Sequence, residues 1–500
     1  MRQILILLLI VVMYLSGHAQ KQTYNWAFGL RCGLTWNTTR DVAVTGLAGT
    51  PDATLTGLPN SFSSSISTME GCFSLSDANG NLLFYSDGMT IWNKNNQAMV
   101  NGSGMTGNNS SAQSGIIVPY PGDPDKYMAV TLGMNDANNV SYSIVNMTLG
   151  GGLGDVVASQ KNIRFQGAMG NTGESVTSVR HANGTDYWIL ASGRGNPTYF
   201  NAWLLTSSGV STSPVVTTSP VSVAGGIACG YLKITADGKH FVWSTFNSAN
   251  RPFVWGDFDN STGKFSNIKL QIGFNSPYGV EFSPNQKLVY LATGSGFYVY
   301  KADELFATSD ISKVTQKYYA ITTPYTSALQ LGPDKRIYWP HHNTTNMRII
   351  DNPDDFDNLR IYQTPNGFVS GTVQIGLPSF AASWFAADIK EKSFLCTGND
   401  FKFTVEISMS GPLSDQPSRL VWDFGDNSGT VSQNIVTGTT TYRQTHNYAS
   451  TGKYIITIAP YKADGTALSK TTLPANVVDC VFQTNPMIRV DLLNTAQQLK

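Results

Sequence analysis

Short bursts of β-branched and aromatic residues run along almost the whole chain. Asn-Gly, Asp-Gly and similar turn pairs interrupt these bursts about every ten residues, which predicts short antiparallel strands rather than helices. The segment 73–92 is the first clear case. It predicts three strands joined by turns at Asn79-Gly80 and Asp87-Gly88. The pattern therefore favours an all-β fold.

The same strand–turn–strand unit returns at intervals of 46 to 58 residues. Its turn residues are Asn79, Asp125, Asn183, Asp237, Asn285 and Asp334. Four-stranded propeller blades occupy about 40 to 50 residues plus loop insertions. We therefore predict that residues 20–388 form a β-propeller of WD40-like or quinoprotein-like repeats. Seven blades are our first choice, with segments 24–36 and 375–385 combining to close the ring, and six blades are the second. A series of β-sandwiches or a β-solenoid is the alternative.

The N-terminus has the layout of a secretory signal peptide. Arg2 precedes an apolar stretch from Ile4 to Leu15, and small residues flank His18. This stretch is shorter than the roughly 20 residues that span a bilayer. We expect cleavage after residues 1–19, no transmembrane segment afterwards, and an exported protein. It would be extracellular, at the cell surface or associated with the outer membrane, with the periplasm as the alternative.

Charge and cysteine content narrow the function classes. The chain has 33 basic and 33 acidic residues, so loss of Arg2 leaves the mature chain near −1. A basic surface for nucleic acid is therefore not expected. The five cysteines form no C-x-x-C pair, and no metal site is predicted. We expect a disulfide between Cys396 and Cys480 after export; a Cys32–Cys72 bridge is a weaker alternative that would leave Cys229 buried and inert.

A distinct C-terminal segment follows residue 388. Residues 420–429, LVWDFGDNSG, and 446–458, HNYASTGKYIITI, resemble the signature of the PKD domain, an immunoglobulin-like β-sandwich. The resemblance implies a PKD domain over residues 393–482 and a tail over residues 483–500. Asn427 stands where that signature usually has glycine. The resemblance assigns folding roles to these residues: Trp422, Asp423, Phe424, Gly425, Asp426, His446, Tyr448, Gly452 and Tyr454. Calcium binding by the two aspartates is the disfavoured alternative, because calcium takes six or more oxygens.

The N-terminal part also resembles a known class. Segments 25–29, 70–88 and 92–94 resemble large exported propeller-plus-PKD proteins of bacteria that use type IX secretion and often glide. The resemblance implies a secreted or cell-surface protein. A C-terminal sorting domain usually follows in that class, whereas this sequence ends at Lys500.

No catalytic motif of the common hydrolase, phosphate-binding or dinucleotide-binding types occurs, and only six glutamates are present. We expect a non-catalytic binding or scaffold protein without a cofactor. Its partners would be envelope or surface proteins, or extracellular glycans. A propeller-fold polysaccharide hydrolase or lyase is the alternative. His341-His342 is interpreted as part of a solvated turn, since neighbouring strand residues point to opposite faces. The residues predicted to line the central channel, as candidate ligand contacts, are Glu70, Gln113, Ser178, Tyr231, Tyr278, Gln330 and Gln374.

Overall fold

The computed structural model describes residues 21–134, 140–223, 228–246, 250–321, 326–385, 394–398, 400–406, 416–436, 439, 441–468 and 470–478. It divides into two compact units, Met1–Ala387 and Asp388–Lys500. The predicted signal peptide and the tail 483–500 lie outside the described residues. Within the described residues the structure is nearly all β, and no helix is long and apolar enough to cross a membrane.

The first unit contains small antiparallel sheets that follow one another along the chain. The N-terminal strands are β1 (Asn25–Phe28), β2 (Cys32–Leu47) and β3 (Ala53–Ser61). The next sheet has β4 (Phe73–Ser76), β5 (Leu82–Ser86), β6 (Thr90–Asn93) and β7 (Ala98–Ser103). The third has β8 (Gly115–Pro119), β9 (Lys126–Leu132), β10 (Val140–Asn146), β11 (Asp155–Val156) and β12 (Ile163–Arg164). The fourth has β13 (Asn171–Arg180), β14 (Tyr187–Arg194), β15 (Tyr199–Thr206), β16 (Gly209–Val210) and β17 (Val215–Thr218).

The remaining strands of this unit come in three groups of four from consecutive chain segments, and the last group shares its sheet with β1–β3. One has β18 (Leu232–Ile234), β19 (His240–Ser244), β20 (Phe253–Asp259) and β21 (Lys264–Gln271). Another has β22 (Val280–Phe282), β23 (Leu288–Thr293), β24 (Gly296–Lys301) and β25 (Gln316–Ala320), and the helix α1 (Ala302–Ala307) follows β24. The last has β26 (Gln330–Leu331), β27 (Ile337–Pro340), β28 (Met347–Ile350) and β29 (Ile361–Gln363).

The repeated turn that the sequence pattern marks has one backbone conformation in most sheets. Gly80, Gly184 and Gly238 follow their Asn or Asp with φ between 70° and 92°. In the two later repeats Gln286 and Lys335 adopt the same left-handed region, at φ of 61° and 63°. The turn geometry is therefore kept where glycine, which adopts it without strain, has been replaced.

The two ends of the first unit meet. β2 pairs with β29 through Thr45–Gln363 and Leu47–Ile361, so the N-terminal strands and β26–β29 form one sheet. A further bridge joins Leu30 to Thr372. The first strand of each sheet from β4 to β26 contacts the first strand of the next, and β1 contacts β4. The sheets therefore lie side by side along their inner edges.

A short segment, which we call the central segment (residues 376–385), contacts the interior of every sheet region. Five of its residues each pack against a different apolar cluster of the first unit. These residues are Phe380, Ala381, Ala382, Trp384 and Phe385. Its last four residues form a 3-10 turn. We predicted that segment 375–385 would pair with segment 24–36 in one sheet; the pairing is instead made at Thr372, and the following residues fill the space where the sheets converge.

The second unit consists of two sheets around one apolar core. The first has the order β30-β36-β35-β32-β33, and the second pairs β31 with β34. Their bounds are β30 (Phe394–Cys396), β31 (Asp400–Glu406), β32 (Arg419–Asp423), β33 (Thr430–Asn434), β34 (Thr441–Asn447), β35 (Gly452–Tyr461) and β36 (Thr471–Val478). Trp422, Phe424, Tyr448 and Ile456 are buried in the core between them.

The signature residues of the second unit shape a turn and its support. Asp423 accepts the N–H of Gly425 (2.9 Å), and Asp426 accepts that of Ser428 (3.1 Å). The His446 ring lies flat on Phe424 with centroids 4.0 Å apart and contacts Asp426 at 2.7 Å. Tyr448 donates to the Phe424 carbonyl (3.0 Å) and stacks on Tyr454, whose strand β35 begins at Gly452. Asn427 has φ of 64°, the conformation that its replacement of glycine requires.

The cysteines differ from the expected pattern in the first unit. Cys32, Cys72 and Cys229 are buried and free, so the alternative Cys32–Cys72 bridge is wrong. Cys396 pairs through its backbone with Val478, and Cys480 lies outside the described residues. The predicted Cys396–Cys480 disulfide stays a prediction.

Candidate functional site

The seven residues predicted to line the channel all lie in the first unit, but they do not form one site. Six of them are buried, and Glu70 is half-buried. Three groups result: interior polar residues that link sheets, a buried ion pair with its neighbour, and an acidic cluster around Glu70.

Gln113 links neighbouring sheets through its amide. Its Oε1 accepts the N–H groups of Leu232 (2.8 Å) and Val176 (3.2 Å). Its Nε2 donates to the Ser379 hydroxyl of the central segment (3.3 Å). The hydrogen-bonding capacity of this side chain is therefore used within the fold.

Tyr231 is held in the same way. Its hydroxyl donates to the Leu377 carbonyl (3.1 Å) and accepts the Leu377 N–H (3.2 Å). Its ring meets that of Tyr278 edge-on, with centroids 5.5 Å apart. Both tyrosines thus brace the centre of the unit rather than face a solvent-filled channel.

Gln330 belongs to a second polar group built around an ion pair. Lys233 contacts Glu281 at 2.9 Å and donates to Gln330 Oε1 at 2.5 Å, and all three residues are buried. Glu281 also accepts the N–H of Leu331 (3.0 Å). A cavity of about 30 Å³ lies beside this group, with Phe380 among its lining residues. This volume suits about one water molecule.

The other predicted positions are separate from these groups. Gln374 donates to Asn343 Oδ1 (2.9 Å), and Ser178 is fully buried in β13. His341 Nδ1 donates to Asn346 Oδ1 (2.7 Å), and its burial lowers its pKa. Gln374 and His341 therefore hold nearby asparagine side chains in place.

Glu70 meets two residues that the sequence analysis did not single out. Cys229 Sγ lies 3.7 and 3.9 Å from the two carboxyl oxygens of Glu70. One donor atom from each of Glu70, Glu174 and Cys229 lies within 4.8 Å of the others. Glu174 is 1% exposed and Cys229 is 3% exposed. We call these three residues the acidic cluster.

Three separate sheets supply the acidic cluster. Glu70 precedes β4, Cys229 precedes β18, and Glu174 lies in β13. The register of β13 against β14 shifts between Thr172 and Val176, and Glu174 lies in this irregularity. A β-bulge re-aims a side chain in this way. The same shift explains why repeat alignment selected Ser178 and missed Glu174.

Burial dominates the electrostatics of the acidic cluster. Burial, together with the charge of Glu174, raises the pKa of Glu70 to about 8, and the Cys229 thiol offsets part of this rise. Burial raises the pKa of Glu174 to about 7 against the opposing Ala112 N–H and Arg194. Burial also raises the pKa of the Cys229 thiol, as do the two carboxylates. Near neutral pH Glu70 therefore keeps its proton.

Comparisons with known proteins add little beyond this geometry. No family model matches the chain, and no curated protein matches it. Among solved structures, a Bacteroides uniformis protein provisionally named as a 6-phosphogluconolactonase is 16% identical, over 59% of this chain and 82% of its own, with a TM-score of 0.37. The extracellular domain of the provisionally named hybrid two-component system BT4673 of B. thetaiotaomicron is 12% identical, over 92% of this chain and 57% of its own, with a TM-score of 0.35. A functionally unknown protein of Desulfotomaculum acetoxidans is 9% identical, over 83% of this chain and 98% of its own, with a TM-score of 0.36. At such TM-scores, these likenesses carry no inference about this chain.

Proposed function

We propose that this chain is an exported, non-catalytic binding or scaffold protein of the bacterial envelope or cell surface. The first unit is a closed β-propeller. Its sheets begin at β4, β8, β13, β18, β22 and β26, and β1–β3 join the last of them through β2 and β29. The pairing of β2 with β29 and the Leu30–Thr372 bridge support this closed ring. Radial closure leaves only short, protected sheet edges, which favours a stable exported protein.

The second unit is a PKD-type module that acts as a spacer or a second docking unit. The stacked Phe424–His446 pair, the Asp426 contact and the buried Trp422 support this assignment, because they place the signature residues in folding roles. The Asp423 and Asp426 carboxylates are occupied by turn N–H groups. These two carboxylates therefore do not favour calcium binding at this turn.

One observation carries the binding function: exposed large apolar side chains occur in loops at one end of the sheets of the first unit. Met69 precedes β4 and is 53% exposed, and Met169 precedes β13 and is 47% exposed. Met89 follows β5, Phe246 follows β19 and Ile272 follows β21. In an antiparallel sheet the start of the first strand and the end of the second lie at the same end. We call these five residues the apolar rim.

A protein partner fits the apolar rim better than a glycan does. Exposed apolar patches mark protein-binding surfaces, and methionine adapts its shape to a partner. The interior polar residues Gln113 and Tyr231 use their hydrogen-bonding groups within the fold and are not offered to a sugar. An envelope or surface protein is therefore the proposed partner.

The test uses the purified mature chain and its native envelope proteins. A partner is identified by cross-linking and purified, and its affinity is measured by calorimetry. M69S/F246S should weaken binding at least tenfold, since apolar anchors dominate interface energies. V100S, which changes a 63% exposed side chain on β7 outside the rim, is the control. Equal affinity of both variants, or saturable binding to a glycan array alone, would contradict the proposal.

A polysaccharide hydrolase is the second candidate, favoured by the proximity of Glu70 and Glu174. Glycosidases place two carboxyls at close separation and use one with a raised pKa as the acid. Both carboxyls here have raised pKa values. Product formation from a polysaccharide that E174Q abolishes would establish this candidate and overturn the non-catalytic reading.

A further inference from the structure

The acidic cluster has the composition and spacing of a metal site. Two carboxylates and one thiol, from three different sheets, place donor atoms within 4.8 Å of one another. In a tetrahedral zinc site, with bonds of about 2.0–2.3 Å, the donors lie about 3.3–3.8 Å apart. A contraction of about 1 Å would therefore complete the coordination.

Two buried polar atoms at this place lack the partners that a folded interior normally provides. Among the described residues, neither Glu174 Oε1 nor the Tyr278 hydroxyl has a hydrogen-bond partner. Glu174 and Tyr278 are each 1% exposed. An unsatisfied buried polar group costs about 1–3 kcal/mol, more when it is charged. A cation at the cluster would relieve this cost at both atoms.

Tyr278 lies near enough to the acidic cluster for its charges to act on the phenol. The charges of Glu70, Cys229 and Glu174 all act on its hydroxyl, along with its burial. Its ring is fixed by the edge-on contact with Tyr231. Tyr278 precedes β22, so this side chain comes from a fourth sheet.

We propose that Glu70, Glu174 and Cys229 bind one divalent transition-metal ion of the zinc class, with the Tyr278 hydroxyl or a water molecule at the fourth position. On binding, one metal–sulfur and two metal–oxygen bonds form, the Cys229 S–H bond and the O–H bond of each protonated carboxyl break, and these protons pass to solvent. The thiolate selects zinc-like ions over magnesium and calcium, which prefer all-oxygen sites. The ion ties three sheets together at the end of the unit that carries the apolar rim.

The site is reachable from solvent. Glu70 is half-buried, whereas its two partners are buried. Phe246, an exposed rim residue, donates its N–H to the Cys229 carbonyl (2.7 Å). The ion would therefore lie just beneath the rim and stiffen its support. This role is independent of whether the rim binds a partner.

The experiment uses the untagged mature chain, stripped with EDTA and titrated anaerobically with Co²⁺ and then Zn²⁺. We expect one equivalent of Co²⁺ with sulfur-to-cobalt charge-transfer absorption in the near ultraviolet. Zn²⁺ should displace the Co²⁺, and an excess of Mg²⁺ or Ca²⁺ should not. Binding of Zn²⁺ should also raise the thermal unfolding temperature, since a ligand that binds only the folded state stabilises it.

Matched variants separate this site from other cobalt ligands. C229S should lose the charge-transfer absorption and at least 100-fold in affinity. E174Q should keep the absorption but lose at least tenfold in affinity. C32S, which changes another buried free cysteine of the same unit, should behave like the wild-type chain.

Two results would overturn the proposal. One is a wild-type chain that binds less than one tenth of an equivalent of Co²⁺ after removal of excess metal. The other is a C229S chain that keeps the wild-type absorption. If circular dichroism shows that C229S does not fold, E70Q and E174Q decide the question, and unchanged affinity in both would refute the site. Neither result depends on the rim-binding experiment, so the two proposals fail separately.

Discussion

At the residue scale, Glu70 makes the stability of the first unit depend on pH. Its pKa is raised to about 8 in the fold, mainly by burial, so the fold favours the protonated carboxyl. The contribution is fully present below the unfolded pKa near 4.5 and is lost as the pH rises through about 8. The acidic cluster therefore stabilises least in alkaline solution.

We expect E70Q to remove this loss in the metal-free chain. The variant should lie within about 1 kcal/mol of the wild-type stability at pH 5 and exceed it by up to about 5 kcal/mol at pH 9, because the pKa rises from 4.5 to about 8 at about 1.4 kcal/mol per pKa unit. Urea unfolding in EDTA at both pH values measures the difference. E304Q is the control, because Thr315 N–H lowers the pKa of that exposed carboxyl. A wild-type stability that rises from pH 5 to 9 relative to E70Q would contradict the sign.

Gln113 is a buried polar residue that stabilises the fold. We expect Q113A to destabilise the first unit by about 2–4 kcal/mol, because the buried N–H groups of Leu232 and Val176 would lose their acceptor. Chemical denaturation measures the loss. Q97A, on an exposed turn residue, should change stability by less than about 0.5 kcal/mol. An equal effect of both variants would show that the amide does not link the sheets.

At the element scale, the sequence predicted strands and turns, which depend on neighbouring residues. It did not predict which distant residues meet in the fold. The turns after Asn79, Asn183 and Asp237 and the segment 420–458 depend on neighbouring residues, so periodicity and turn chemistry predict them. Glu174 was missed because an irregularity in β13 shifts it relative to the repeat alignment. Cys229 was taken as inert because its meeting with Glu70 joins positions 159 residues apart.

The central segment shows the same limit. It follows the last repeat of the array, which is why the sequence predicted that it belongs to a closing blade. In the structure, Phe380, Ala381 and Ala382 contact different clusters, so its conformation is decided by packing from several sheets at once. No local pattern carries that information.

The turn after β32 in the second unit depends on the charge of Asp426. Burial alone would raise the pKa of Asp426, but hydrogen bonds from Ser428 and His446 outweigh it and lower the pKa. The carboxylate therefore stabilises this turn above its unfolded pKa, and the contribution is lost as the pH falls through the lower folded value. Most of it is present at neutral pH.

D426N should loosen the turn at pH 7 by about 0.5–1.5 kcal/mol, since it removes a charged acceptor from Ser428 and His446. Hydrogen exchange of peptides within 420–458, followed by mass spectrometry, should show faster exchange than in the wild-type chain. The difference should shrink toward pH 3. D464N changes a fully exposed turn aspartate and should leave those peptides unaffected.

At the scale of the whole molecule, closure distinguishes the proposed ring from a row of independent sheets. The N-terminal strands complete the last sheet through β2 and β29, so the earliest and latest parts of the first unit depend on each other. Removal of residues 20–61 leaves β29 with an unpaired edge and removes Trp26, Phe28 and Leu34 from the core. An unpaired hydrophobic edge promotes association between chains.

The two ends of the chain should therefore respond differently to truncation. A chain lacking residues 20–61 should aggregate or lose cooperative unfolding, although more than three hundred residues of the first unit remain. A chain lacking residues 388–500 should stay monomeric and keep the unfolding transition of the first unit, because each unit has its own apolar core. Size-exclusion chromatography and calorimetry measure both outcomes. A soluble monomer with an unchanged transition after the N-terminal deletion would mean that the sheets fold without closing, and the closed ring would have to be abandoned.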